Sequence, residues 1–144
     1  MNKTKNDLLK SSLDYYDKHK DLDFVIKPSL PVLYFGDIKS YLKSEYKVVT
    51  AALNPSDIEF KKSKEDEPSF FRFPEFKGDI ISLEKSLNNY FENKPYTRWF
   101  GTSDKTNQGF IPILNGMNCC YYSSDKFKNT SLHTDICSPL ATNP

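Results

Sequence analysis

Two short polar constellations carry most of the chemistry that this 144-residue chain can offer. The first is Asn54-Pro55-Ser56, directly after the apolar run at 48–53. The second is Asp135, within a run at 131–137 that stops at Ser138-Pro139. Ligands of α/β folds bind beyond the carboxyl ends of parallel strands, so an amide and a carboxylate at two such ends are candidates for one site. The amide can donate and accept hydrogen bonds, whereas an ionised carboxylate only accepts. Asn54 beside Pro55 also suits an Asx-turn or a helix cap, a role compatible with ligand binding. Phe70, Phe71 and Phe73 fall between the two constellations and can form either a stacking wall or a piece of core.

The other chemistry-bearing residues have plain structural readings. Lys61, Lys62 and Lys64 can contact phosphates, but Glu65, Asp66 and Glu67 follow at once and cancel most of their field, as in a solvated loop. Trp99, flanked by Arg98, can stack on a base, cap a protein interface or pack. His133 lies inside the second run and His19 at a charged helix end; neither has the partners of a nucleophilic site. Cys119, Cys120 and Cys137 are an odd set with no zinc spacing, which fits reduced thiols, Cys137 as an inert one on a buried strand. There is no GxGxxG or Walker loop. No metal and no cofactor are expected.

The elements that must position these residues can be read from periodicity. Thr4 or Asn6 caps a helix whose Leu9, Leu13 and Tyr16 share one face, ended by the cations at 18–20. Pro28 and Pro31 mark a connection, and Asp37 caps a short helix through Ile38, Tyr41 and Leu42. The run at 47–53 has consecutive apolar positions after Lys47, the pattern of a parallel strand buried on both faces. Gly78-Asp79 opens an amphipathic helix carrying Ile80, Leu83, Leu87 and Tyr90-Phe91. The run at 131–137 reads as a second buried strand, and 32–35 can add a third at an edge. The expected architecture is a single three-layer α/β/α domain over 1–144 with a short parallel sheet. Two or three strands are few for such a sheet, so the chain reads as the front part of a larger domain whose open edge invites self-association.

Residues 48–56, Val-Val-Thr-Ala-Ala-Leu-Asn-Pro-Ser, resemble the first motif of the uracil-DNA glycosylase superfamily. In its mismatch-specific and single-strand-selective branches a hydrophobic strand ends in Gly-x-Asn-Pro-Gly. Residues 132–140, Leu-His-Thr-Asp-Ile-Cys-Ser-Pro-Leu, are similar to a later strand of that superfamily, where an Asn precedes the turn. The Phe70–Phe73 cluster falls where the superfamily places the aromatic that stacks on the flipped base. The resemblance implies that Asn54 holds the attacking water, that Phe71 or Phe73 stacks on the base and that Asp135 reads its edge. It implies DNA as partner and N-glycosidic bond hydrolysis as the reaction. Three departures stand against activity. Ala52 and Ser56, the latter a candidate substrate-binding residue, replace the motif glycines, so close backbone approach of a sugar or base is harder than with Gly. Asp135 replaces an amide and suits cytosine's amino group or a protein partner better than a uracil carbonyl. The His-Pro-Ser-like second motif would lie beyond residue 144. The alternative is a non-catalytic α/β module that binds another protein.

Composition narrows the classes further. Twenty cations face nineteen anions, and Arg72 and Arg98 are the only arginines, so no global charge draws nucleic acid or a membrane. Eleven Phe, nine Tyr and one Trp supply the apolar area for a real core. No stretch approaches the ~20 apolar residues of a membrane span, and residues 1–7 are too polar for a secretory signal. A cytoplasmic location with no membrane partner is expected.

Overall fold

A computed structural model of the chain describes residues 4–93, 95–102, 105, 107–123 and 128–143. The first helix, α1 (Lys5–His19), starts at Thr4, whose side chain accepts from the Asp7 amide while the Asp7 carboxylate accepts from the Thr4 amide. This reciprocal box satisfies two of the donors that a helix N-terminus leaves free. Asp37 caps α2 (Ile38–Lys43) through the amides of Lys39 and Ser40. Asp79 and Ser82 form a second reciprocal box at the start of α3 (Ile80–Asn88). α3 buries Leu83 and Leu87 and packs against α1, which contributes the fully buried Leu9.

Strand β1 (Val49–Ala52) pairs in parallel with β2 (Leu132–Asp135), with Val49 opposite Leu132 and Ala52 opposite Asp135. A 3-10 turn at Asp57–Phe60 follows β1, and two short helices, α4 (Thr97–Phe100) and α5 (Ile111–Gly116), precede β2. The result is a mixed helix and strand fold around a two-stranded parallel sheet. Among the described residues, no helix is long and apolar enough to cross a membrane.

Three expectations about the strands need correction. β1 is not buried on both faces: Val49 is 42% exposed and Leu53, just past the strand, 66%. Its apolar run holds one face toward the interior through Thr50 and Ala52 and leaves Val49, Ala51 and Leu53 on an open face. The extensive helix packing is between α1 and α3, and β1 packs extensively only on β2 among the described elements. Residues 32–35 do not form a strand among the described residues. Phe35 alone bridges His133 antiparallel, donating to the His133 carbonyl at 2.8 Å and accepting from its amide at 3.0 Å. Cys137, expected on a buried strand, is exposed beyond the end of β2.

The core is built from aromatic rings. Phe35 stacks on Tyr90 with centroids 3.9 Å apart and meets Phe100 edge-on at 6.0 Å. Phe91 stacks on Tyr121 at 4.4 Å, and Phe73 packs against Phe60 at 5.1 Å. Such offset and edge-on pairs let flat rings fill the space between two short strands and α3 beside aliphatic side chains such as Leu30, Ile111 and Leu114.

Candidate functional site

A cleft of about 210 Å³ opens at the carboxyl ends of the two strands. From β1 and the turn after it come Ala52, Asn54, Pro55, Ser56 and Glu59; from β2 come His133 and Asp135. Phe35, Tyr96, Trp99 and Phe100 complete the wall. Parallel pairing explains the convergence. With Ala52 opposite Asp135, the residues at and just past the strand ends are neighbours in space although 80 positions or so separate them in sequence.

Asn54 is held by the C-terminal stretch. Its Nδ2 donates to the Thr142 hydroxyl at 2.9 Å and to the Pro55 carbonyl at 3.1 Å. Thr142 in turn donates its amide to the Pro55 carbonyl, and Ser56 bridges Thr142 in parallel. With both amide protons so used, Oδ1 carries no hydrogen bond among the described residues. The capping expectation is not met: Ser56 occupies the N-cap position of the 3-10 turn, and no side chain caps it. Thr142→Val, which removes the anchoring hydroxyl at equal shape, is expected to cost about 1 kcal/mol of stability. A urea midpoint unchanged from wild type would show that the clamp contributes nothing.

Asp135 is the most unusual group in the cleft. Its side chain is only 3% exposed, yet it makes no hydrogen bond among the described residues, and His133 Nε2 lies 3.9 Å from its Oδ1. Burial pushes its pKa up to about 6. Burial also pushes His133 down to about 4, so near pH 7 the imidazole is neutral and the two do not form an ion pair. His133 Nδ1 is hydrogen-bonded to Thr50 Oγ1 at 2.8 Å, and Thr50 Oγ1 also meets the Tyr121 hydroxyl at 2.5 Å. That chain fixes the ring plane and leaves Nε2 toward Asp135.

Glu59, which the sequence did not single out, is the second buried carboxyl. The 3-10 turn drives it inward to 6% exposure beside Phe60. Burial raises its pKa to about 7, against the opposing hydrogen bond from Tyr90 and the charge of Arg72, while Asp135 adds to the rise. The Tyr90 hydroxyl donates to Glu59 Oε2 and accepts from the Tyr96 amide at 3.0 Å, tying the turn to the aromatic wall. Glu59 Oε1 carries no hydrogen bond among the described residues.

Of the residues expected at a site, Asn54, Ser56 and Asp135 meet in this cleft. Phe70, Phe71 and Phe73 do not line it. Phe73 is fully buried behind Phe35, Phe70 packs edge-on against Phe76 at 5.2 Å, and the Phe71 ring lies beneath Lys62 and Arg72. Their place is taken by Tyr96, half-exposed Trp99 and Phe100. The α4 turn that carries these rings is seated on two glycines. A Cβ on Gly109 would lie 2.5 Å from the Trp99 carbonyl oxygen, and one on Gly101 would lie 2.5 Å from that of Gln108. Both have positive φ, so glycine is required there twice over. No protein family, curated protein or solved structure matches this chain. The cleft therefore has to be interpreted from its own chemistry. It joins a free amide carbonyl and two buried carboxyls to a wall of rings, and among the described residues no Lys or Arg side chain lines it. Among the described residues, no group of three or more potential ligands could hold a metal ion.

Proposed function

We propose that the chain is a glycosylase-like protein that takes a single base, extruded from DNA, into this cleft. The observation that carries the reading is the delivery of Asn54 and Asp135, from the ends of two parallel strands, to one aromatic-walled cleft. At about 210 Å³ the space is below the usual range for drug-sized ligands, roughly 300–1,000 Å³, and suits one planar ring system. Tyr96 and Trp99 supply π-faces at the rim, where base–aromatic stacking contributes about 1–3 kcal/mol per base. Asn54 Oδ1 is available to hold a water against the sugar's anomeric carbon, and Asp135 to meet the base edge. The fold that goes with this reading is the α/β/α glycosylase arrangement, of which the parallel pair with its strand-end cleft is the functional centre.

The test uses short single-stranded DNA oligonucleotides, each carrying one candidate base, uracil and hypoxanthine among them. Abasic sites are scored by alkaline cleavage, and binding by Trp99 fluorescence, since this is the chain's one tryptophan. Abasic sites with at least one base are expected, and Asn54→Ala is expected to reduce them at least tenfold. Neither cleavage nor quenching with any oligonucleotide would end this reading. The competing interpretation, a protein-binding module, is favoured by the open face of β1, where Val49 and Leu53 lie exposed near Ile136.

A further inference from the structure

We infer that the cleft selects bases that present an exocyclic amino group, cytosine or adenine, over the carbonyl-edged uracil and thymine. The inference rests on the reading of the cleft as a nucleobase site and names which edge it accepts.

A carboxylate withdrawn from water normally has a cation or several hydrogen-bond donors around it, because an uncompensated buried charge is costly. Asp135 has neither: its side chain is 3% exposed, it makes no hydrogen bond among the described residues, and His133 Nε2 stands off at 3.9 Å. The missing donors are therefore supplied by whatever enters the cleft. The other open positions point the same way. Asn54 Oδ1 is an acceptor whose amide protons are already engaged by Thr142 and Pro55. Glu59 Oε1 is a second carboxyl oxygen without a partner, since Tyr90 serves only Oε2. The Ser56 and Tyr96 hydroxyls, His133 Nε2 and the Trp99 indole N–H are the other polar side-chain groups of the lining, and the Asp135 carboxylate, Asn54 Oδ1 and Glu59 Oε1 are the acceptors left open among the described residues.

A base edge bearing an amino group brings two N–H donors to this surface. Uracil and thymine instead bring two carbonyl oxygens flanking a single N–H, and at least one carbonyl would then face a carboxylate. Such a mismatch discriminates strongly, because it leaves two buried acceptors opposed and unpaired. Above pH 7 both carboxyls are predominantly ionised, so the preference is fullest on the alkaline side of neutrality.

The experiment titrates the full chain at pH 8 with deoxycytidine, deoxyadenosine, deoxyuridine and thymidine. Trp99 quenching is the readout, repeated by calorimetry. Deoxycytidine or deoxyadenosine is expected to bind at least tenfold more tightly than deoxyuridine and thymidine. Asp135→Asn, which keeps the shape and introduces an N–H donor, is expected to cut that ratio to threefold or less by strengthening deoxyuridine binding. Circular dichroism confirms that the variant is folded. Equal binding of all four nucleosides, tighter deoxyuridine binding by the wild type, or a ratio unmoved in Asp135→Asn would overturn the inference while leaving a nucleobase cleft. Failure of every nucleoside to bind would overturn this inference together with the reading on which it rests.

Discussion

Phe35→Ala is expected to cost about 4 kcal/mol of folding stability, as large aromatic truncations in a closed core do. The ring is 1% exposed and stands at the junction of every part of the site. It stacks on Tyr90 at 3.9 Å, faces Phe73 and Phe100, and lies parallel to the His133 ring at 6.1 Å. Its backbone amide and carbonyl are both bonded to His133, so the surrounding backbone cannot collapse freely into the void. A domain of this size is stable by about 5–15 kcal/mol, so such a loss takes away between about a quarter and four-fifths of it. Urea unfolding followed by circular dichroism measures it. A cost below 1 kcal/mol would mean that Phe35 is not the keystone of the ring cluster.

The second large effect has the opposite sign. At pH 7, Asp135→Asn is expected to stabilise the fold by about 2 kcal/mol. The carboxyl ordinarily titrates near 3.8 but is raised to about 6 in the fold. A displacement of two units corresponds to about 3 kcal/mol, of which the amide's own unmade hydrogen bonds take back about 1. Between pH 4 and 6 the folded state holds the proton that the unfolded state has lost, so stability falls as pH rises, and the penalty is complete above 6. Glu59, raised to about 7, adds the same slope between about 4.5 and 7. His133, lowered to about 4, opposes it below 6.5, because the unfolded chain then binds a proton that the folded chain refuses. Two carboxyls against one imidazole leave a net gain of about 1–2 kcal/mol on acidification from pH 7 to 5. Urea midpoints at pH 5, 6, 7 and 8 measure the slope. Wild-type stability that rises steadily from pH 5 to 8, with no stabilisation in Asp135→Asn, would contradict the charge assignment. The arrangement fits a binding site: an unpaired buried carboxylate lowers stability until a ligand provides the donors it lacks.

Much of the local structure was legible in advance. Thr4, Asp37 and Asp79 start helices where their side chains and spacing say they should, because a cap involves only residues three or four apart. The two extended runs were legible too, as were Asn54 and Asp135 at and beyond their ends. The burial of those runs was not. Val48-Val49-Thr50-Ala51-Ala52-Leu53 is apolar throughout, and nothing in that pattern says whether a helix will cover both faces. The aromatic wall was misplaced for a related reason. Phe70, Phe71 and Phe73 lie conveniently between the two motifs, but Phe73 turned inward to Phe60 and Phe35, while Tyr96 and Trp99 came from farther along the chain.

Glu59 shows the same limit from the other side. Within Asp57-Ile58-Glu59-Phe60 it looks like one of many surface acids, and only a 3-10 turn closing against Tyr90 buries it. By itself, then, the order of residues determined the caps, the turns and the two polar groups placed where adjacent strands end. The tertiary structure alone decided which rings face those groups, which acid joins them and which sheet face stays open. Caps and turns are settled within one or two helical turns of chain. Burial and the charge states that follow from it depend on partners as distant in sequence as Thr50 and His133, whose meeting no local pattern encodes.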